Sequence, residues 1–128
     1  MGQERKIMDG SRPAGFSEAA QAFAAAEVVP SASILAQGAR FSVRSLTLPT
    51  GQTTSLRSHL HRSEQWVVVQ GTAEITLGGR ARLVVEGEAV HIPLGQPHRI
   101  ENPGRLPVTL IAVETGHYLG DDDEVRHD

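Results

Sequence analysis

From Phe41 onward the apolar residues recur at alternate positions, and short runs of this kind are closed repeatedly by glycine or proline. A period of two is the pattern of a strand with one face in a core; a helix would repeat every three to four residues. Residues 41–48 alternate in this way, and Pro49-Thr50-Gly51 reads as a turn. Trp66-Val67-Val68-Val69 is a β-rich run ended at Gly71. Ala73, Ile75 and Leu77 alternate with Thr72, Glu74 and Thr76, and Gly78-Gly79 fits a two-residue hairpin into residues 80–85. Further strands fit residues 89–92, 99–101 and 108–114. Many short strands with turn signals between them predict an all-β sandwich or barrel.

The 128 residues suffice for one such domain. Residues 17–27 depart from the period-two pattern and predict a short N-terminal helix: Ser17 suits the N-cap, Glu18 the first turn, alanines follow, and Pro30 stops it. The organisation expected is therefore residues 1–30 as leader and short helix, 31–120 as barrel, and 121–128 as acidic tail. That tail holds five acids against Arg126, so it carries −4 of the net −3 and leaves the body at +1. A near-neutral body lacks the clustered lysine and arginine that phosphate backbones require, which argues against nucleic acid as a partner. With no cysteine there is neither a disulfide framework nor a thiol nucleophile, and the single lysine, Lys6, lies in the leader. No apolar run approaches the roughly 18–20 residues of a membrane helix, and the first ten residues do not read as a signal peptide. A cytoplasmic protein without membrane contact is expected. The alanine-rich segment would cover exposed barrel surface on a second copy, which predicts a homodimer.

Among six histidines, His59 and His61 stand at i and i+2, where an extended strand aims both imidazoles at one point. Glu64 follows a turn at Arg62-Ser63, and two imidazoles with a carboxylate suit a divalent first-row metal. Gln65 is a rival for the carboxylate's place, but alternation counted back from Gly71 favours Glu64. A second block reads Gly87-x5-Pro93-x-Gly95-x2-His98-x3-Asn102, in which Pro93 and Gly95 can set a sharp turn that projects His98 from the next strand. By the same alternation His91 should face away from the core, and His117 and His127 lie on the surface.

At these residues the sequence resembles the cupin superfamily, whose motifs run roughly G-x5-H-x-H-x3,4-E-x6-G and G-x5-P-x-G-x2-H-x3-N. The second matches from Gly87 to Asn102. The first matches with two departures: seven residues rather than five separate Gly51 from His59, and only two separate His61 from Glu64. The resemblance implies a double-stranded β-barrel, or jelly roll, with His59, His61, Glu64 and His98 around one divalent ion. The same ligands serve Zn, Mn, Fe, Co and Ni. The runs His61-Arg62-Ser63-Glu64-Gln65-Trp66, residues 91–104 and Tyr118-Leu119-Gly120-Asp121-Asp122-Asp123 resemble more narrowly the C-terminal domain of the type II phosphomannose isomerases, the bifunctional mannose-1-phosphate guanylyltransferase/mannose-6-phosphate isomerases. Arg57 stands where that family usually carries Gln.

This resemblance implies an isomerase acting on a sugar phosphate. Two other activities fit the same motifs: a non-catalytic cupin that binds a sugar or small molecule, and an Fe(II) cupin dioxygenase. The small-molecule ligand expected is an anionic sugar, for which arginine's planar fork is suited. Arg57, Arg62 and Arg99 are the candidate anion-binding residues, with Arg44 on a nearby strand. Trp66 is a core residue or a sugar-stacking wall. Glu101 is the candidate base for moving a proton between C1 and C2.

Overall fold

Alternation along residues 62–70 does in space what it promises in sequence. Arg62, Glu64, Trp66 and Val68 are buried, while Gln65, Val67 and Val69 face solvent. The computed structural model describes residues 26–27 and 31–127. Its elements are β1 (Ala26–Glu27), β2 (Ser31–Gln37), β3 (Phe41–Leu48), β4 (Gln52–Thr53), β5 (Arg57–His59), β6 (Arg62–Gln70), β7 (Ala73–Leu77), β8 (Arg80–Val84), β9 (Ala89–Ile92), β10 (His98–Glu101), β11 (Val108–Gly116), a 3-10 turn (Asp121–Asp123) and β12 (Glu124–Arg126).

One sheet has the antiparallel order β9-β6-β11-β3-β2. The other has the order β12-β5-β10-β4-β1, with β7 also on β10 and β8 beyond β7. Among the described residues only the β1–β4 pair is parallel. Ile75, Ile92, Leu110, Val68, Val84 and Val108 fill the interior between the sheets. Register grades that interior. Glu114 on β11 faces Glu64 on β6, Ala112 faces Trp66 and Leu110 faces Val68, so the buried residues pass from charged to apolar along the barrel.

The turn residues explain the strand ends. Leu77 pairs Arg80 across Gly78 and Gly79, whose φ values of 58° and 85° are the left-handed pair that a tight hairpin turn needs. Gly71, with φ 79°, closes β6 where a Cβ would lie 2.6 Å from the Pro107 carbonyl oxygen. Asn102, fully buried, donates through Nδ2 to the carbonyls of Leu48 (3.0 Å) and Leu106 (2.8 Å) and accepts from Gly104 N–H. It is thus the fastener of the β10–β11 connection to the end of β3.

Two expectations are corrected. Ala26–Glu27, the last residues of the expected helix, form a strand beside β4; residues 17–25 lie outside the described residues. The acidic segment is only partly solvated: Asp122 and Glu124 are exposed, but β12 pairs with β5 and Asp123 is buried. No described helix is long and apolar enough to cross a membrane.

Candidate metal centre

Three strand ends deliver the centre. His59 ends β5, Glu64 lies on the inner face of β6, and His98 begins β10. Their nitrogen and carboxylate donor atoms all lie within 4.8 Å of one another. The His59 and His98 rings stack at 5.3 Å, and His59 Nδ1 is 3.4 Å from Glu64 Oε2. The turn at Gly95 docks directly on this strand end, its N–H donating to the His59 carbonyl at 2.8 Å. The cavity they face has a volume of about 130 Å³ and is also lined by Arg44, Arg57, Trp66, Glu114 and Glu124.

Neighbouring groups hold the donors in place. His98 Nδ1 lies 2.9 Å from the Gln96 carbonyl. A carbonyl only accepts, so Nδ1 carries the proton and Nε2 keeps its lone pair, the arrangement common among metal-ligating histidines. Trp66 Nε1–H donates to Glu64 Oε1 at 2.6 Å, and its indole meets the His98 ring edge-on at 5.4 Å. Trp66 is thus a core residue, 4 % exposed, whose polar atom is spent on Glu64 while its ring lines the cavity. Gln65, the rival carboxylate position, points outward and bonds His91, which is itself exposed as expected.

Burial governs the protonation states. It pulls His59 from 6.5 to about 4, with the charges of Arg62 and His98 acting in the same sense. Burial also lowers His98, against the opposing bond to Gln96. Both imidazoles are therefore neutral near pH 7, the form that ligates metal. Burial raises Glu64, opposed by the Trp66 N–H, and raises Glu114 with help from the charge of Glu64.

His61 does not join this group. Residues 60–61 form a bend between β5 and β6, so the same-face rule for i and i+2 lapses there. Its side chain is 56 % exposed, with Nδ1 2.7 Å from Asp123 Oδ1 and its ring edge-on to Tyr118. Arg62 lines the cavity and also belongs to this clamp. It donates from Nε to Asp123 Oδ2 (3.2 Å) and from a terminal nitrogen to the Gly120 carbonyl (2.7 Å), and pairs with Glu114 at 3.2 Å. Burial alone would raise Asp123; the bonds from His61 and Arg62 outweigh it and hold the carboxyl below its usual range. Arg99 and Glu101 alternate with buried His98 and Ile100 on β10 and so face away from the cavity. Arg44 and Arg57 do line it, and Glu114, which the sequence pattern places at the end of a strand without assigning it a role, lines it as well.

The sequence held a signal for the His61 correction. Placed two residues earlier, the first motif reads Gly51-x5-Arg57-x-His59-x4-Glu64-x6-Gly71, and both spacing departures vanish. His59 is then the motif's second histidine, and Arg57 stands at the first.

A two-sheet barrel with histidines and a carboxylate gathered inside one end defines a cupin-type, double-stranded β-helix protein. The chain belongs to the family described as mannose-6-phosphate isomerase C-terminal, whose model matches residues 26–128. Relatives include the xanthan biosynthesis protein XanB of Xanthomonas campestris pv. campestris, 52 % identical over 89 residues, and mannose-1-phosphate guanylyltransferase 2 of Escherichia coli O157:H7, 48 % identical over 90 residues. Each match takes in 70 % of this chain but 19 % of the relative, so the chain spans about a fifth of those proteins. Among solved structures, a conserved double-stranded beta-helix protein from Klebsiella pneumoniae subsp. pneumoniae superposes with TM-score 0.69 at 23 % identity, over 77 % of this chain and 84 % of that one. A putative sugar phosphate isomerase from Acidithiobacillus ferrooxidans does so with TM-score 0.55 at 18 % identity, over 59 % of this chain and 50 % of that one. At these identities the structural likenesses speak for the fold.

Proposed function

We propose that the chain is a metal-dependent cupin of the mannose-6-phosphate isomerase type, acting on a sugar phosphate as a cytoplasmic homodimer. The observation that carries this reading is the convergence of His59, Glu64 and His98 within 4.8 Å, with the His98 proton fixed on Nδ1. The donor set fits a divalent first-row ion: two neutral imidazole nitrogens and a carboxylate, with Glu64 and His98 buried and held by Trp66 and Gln96. Such an ion, when bound, polarises the hydroxyl and carbonyl oxygens of the sugar as a Lewis acid. Arg44 and Arg57, which line the cavity with 27 % and 23 % of their side chains exposed, take the anionic part of the ligand. Glu114 lines the same cavity outside the ligand group and replaces Glu101 as the carboxylate that carries a proton between C1 and C2.

Metal analysis of the purified protein and isothermal titration with Zn2+ and Mn2+ come first. His98→Ala should abolish stoichiometric metal binding, whereas His61→Ala should leave it within about threefold, since His61 lies outside the converged group. Interconversion of mannose 6-phosphate and fructose 6-phosphate then tests the chemistry. Glu114→Gln should lower kcat by about a hundredfold or more with metal affinity retained. A metal-loaded protein that is stabilised by sugar phosphates but never turns them over would instead be a binding module. Turnover undiminished in Glu114→Gln would remove that residue's role. The absence of both stabilisation and turnover would reject a carbohydrate ligand.

A further inference from the structure

Position 57 is a corner of the centre by topology as well as by motif. Arg57 and His59 bracket β5 at i and i+2 within one unbroken strand, so they share a face. His98 is the direct cross-strand partner of Arg57 in the β5–β10 pair. The three side chains line one cavity with Glu64. A ligating side chain at 57 would complete a four-donor set with His59, Glu64 and His98; the general cupin spacing puts a histidine there, and the narrower family resemblance a glutamine. This chain has a guanidinium, a group with five N–H donors, no acceptor and a permanent charge, which cannot ligate a metal. The charge is anchored: Arg57 Nε is 2.8 Å from Glu124 Oε2 and donates to Ser55 Oγ at 2.6 Å. Glu124 lies on β12 opposite His59, so the C-terminal strand supplies the counter-charge.

We propose that Arg57 replaces the fourth ligand by a fixed cation, so that this chain holds its metal on three protein ligands and accepts an oxyanion beside the guanidinium. The proposal rests on the metal reading above and specifies its substrate side. A missing donor leaves a coordination position open. An anionic oxygen entering there lies between two positive charges in a partly buried cavity, where such attraction is much less screened than in water. A neutral oxygen gains less, so position 57 selects for a ligand that presents negative charge at the metal.

The test uses the full chain stripped of metal, titrated with Co2+ as wild type, His98→Ala, Arg57→His and Arg57→Lys. Arg57→His restores the motif histidine and removes the repelling charge; Co2+ should bind about tenfold tighter or more, while Arg57→Lys stays near wild type. Inorganic phosphate should perturb the visible spectrum of the Co2+-loaded wild type, and Arg57→His should need about tenfold more phosphate for the same change. Circular dichroism checks the fold of each variant, and Arg57→Gln serves as the charge-removing variant if Arg57→His fails to fold; it should show the same weakened phosphate response. Co2+ affinity unchanged or reduced in a folded Arg57→His, or a phosphate response independent of residue 57, overturns the proposal while leaving the metal reading intact. Wild type and His98→Ala indistinguishable towards Co2+ overturns the metal reading and the proposal with it.

Discussion

Trp66 carries two obligations at once. Its ring fills the interior between the sheets, and its N–H satisfies Glu64 Oε1, a carboxylate oxygen that burial would otherwise strand. Trp66→Phe keeps most of the ring's apolar area but removes the donor. Leaving a buried acceptor unmet costs about 1–3 kcal/mol, more when it is charged. The expected outcome is a loss of that order in urea unfolding of the metal-free protein. With the donor gone, the carboxyl should also titrate higher than it does now, because the Trp66 bond is the largest influence opposing burial. An unchanged unfolding midpoint would show that water replaces the indole.

At the scale of the element, the C-terminal segment is the lock of the charged end. Asp123 accepts from Leu60 N–H at 3.1 Å as well as from His61 and Arg62, and β12 then adds its strand to β5. The chain before it is shaped for this docking: Gly116 sits against the His61 carbonyl, where any Cβ would collide, and Tyr118 donates to Asp122. Asp123→Ala would leave the guanidinium of Arg62, 4 % exposed, with Glu114 as its remaining carboxylate. Breaking a buried pair on one side typically costs about 3–5 kcal/mol, and the surviving partner should hold the loss near the lower figure. Chemical denaturation measures it. A loss below about 1 kcal/mol would mean that the segment docks without being needed by the barrel.

For the molecule as a whole, acid stability separates the two kinds of buried group. His59 and His98 have lowered pKa values, so the unfolded chain binds protons that the folded one refuses. Their contribution is intact above about pH 6.5, the unfolded value, and for His59 is lost as pH falls towards about 4. Glu64 and Glu114, raised by burial, act in the opposite sense, since the folded state holds their protons more tightly as pH falls. Comparing wild type with His59→Gln isolates the histidine: the metal-free wild type should lose stability more steeply between pH 6.5 and 4. Parallel profiles would show that His59 titrates normally. The assembly is tested at the same scale. Among the described residues β2 is an edge strand exposed along its length, with Ile34 and Leu35 57 % and 58 % exposed, the kind of edge that proteins commonly pair or cover. Light scattering should give a dimer at micromolar concentration, shifted towards monomer by Ile34→Asp with Leu35→Asp.

Alternation and glycine positions carried the strand order of events from Phe41 to Glu114, because a half-buried strand writes its period into the sequence and a left-handed turn demands glycine. They also brought Glu64 and His98 to the centre, since each lies within a stretch whose register is fixed by its own turn. Local rules failed where the chain changes direction or pairs at long range. The bend at Leu60-His61 breaks the period, so His61 turns out to Asp123, a partner 62 positions away. Strands of two or three residues, such as β4 and β12, have too few positions to show any period and exist only through the neighbours they pair with. The acidic run read as tail because charge composition predicts solvation; what buries Asp123 is Arg62, which only the closed barrel brings to it. Strand period is a property of neighbours in sequence, whereas the choice of partner for a buried charge belongs to the assembled interior.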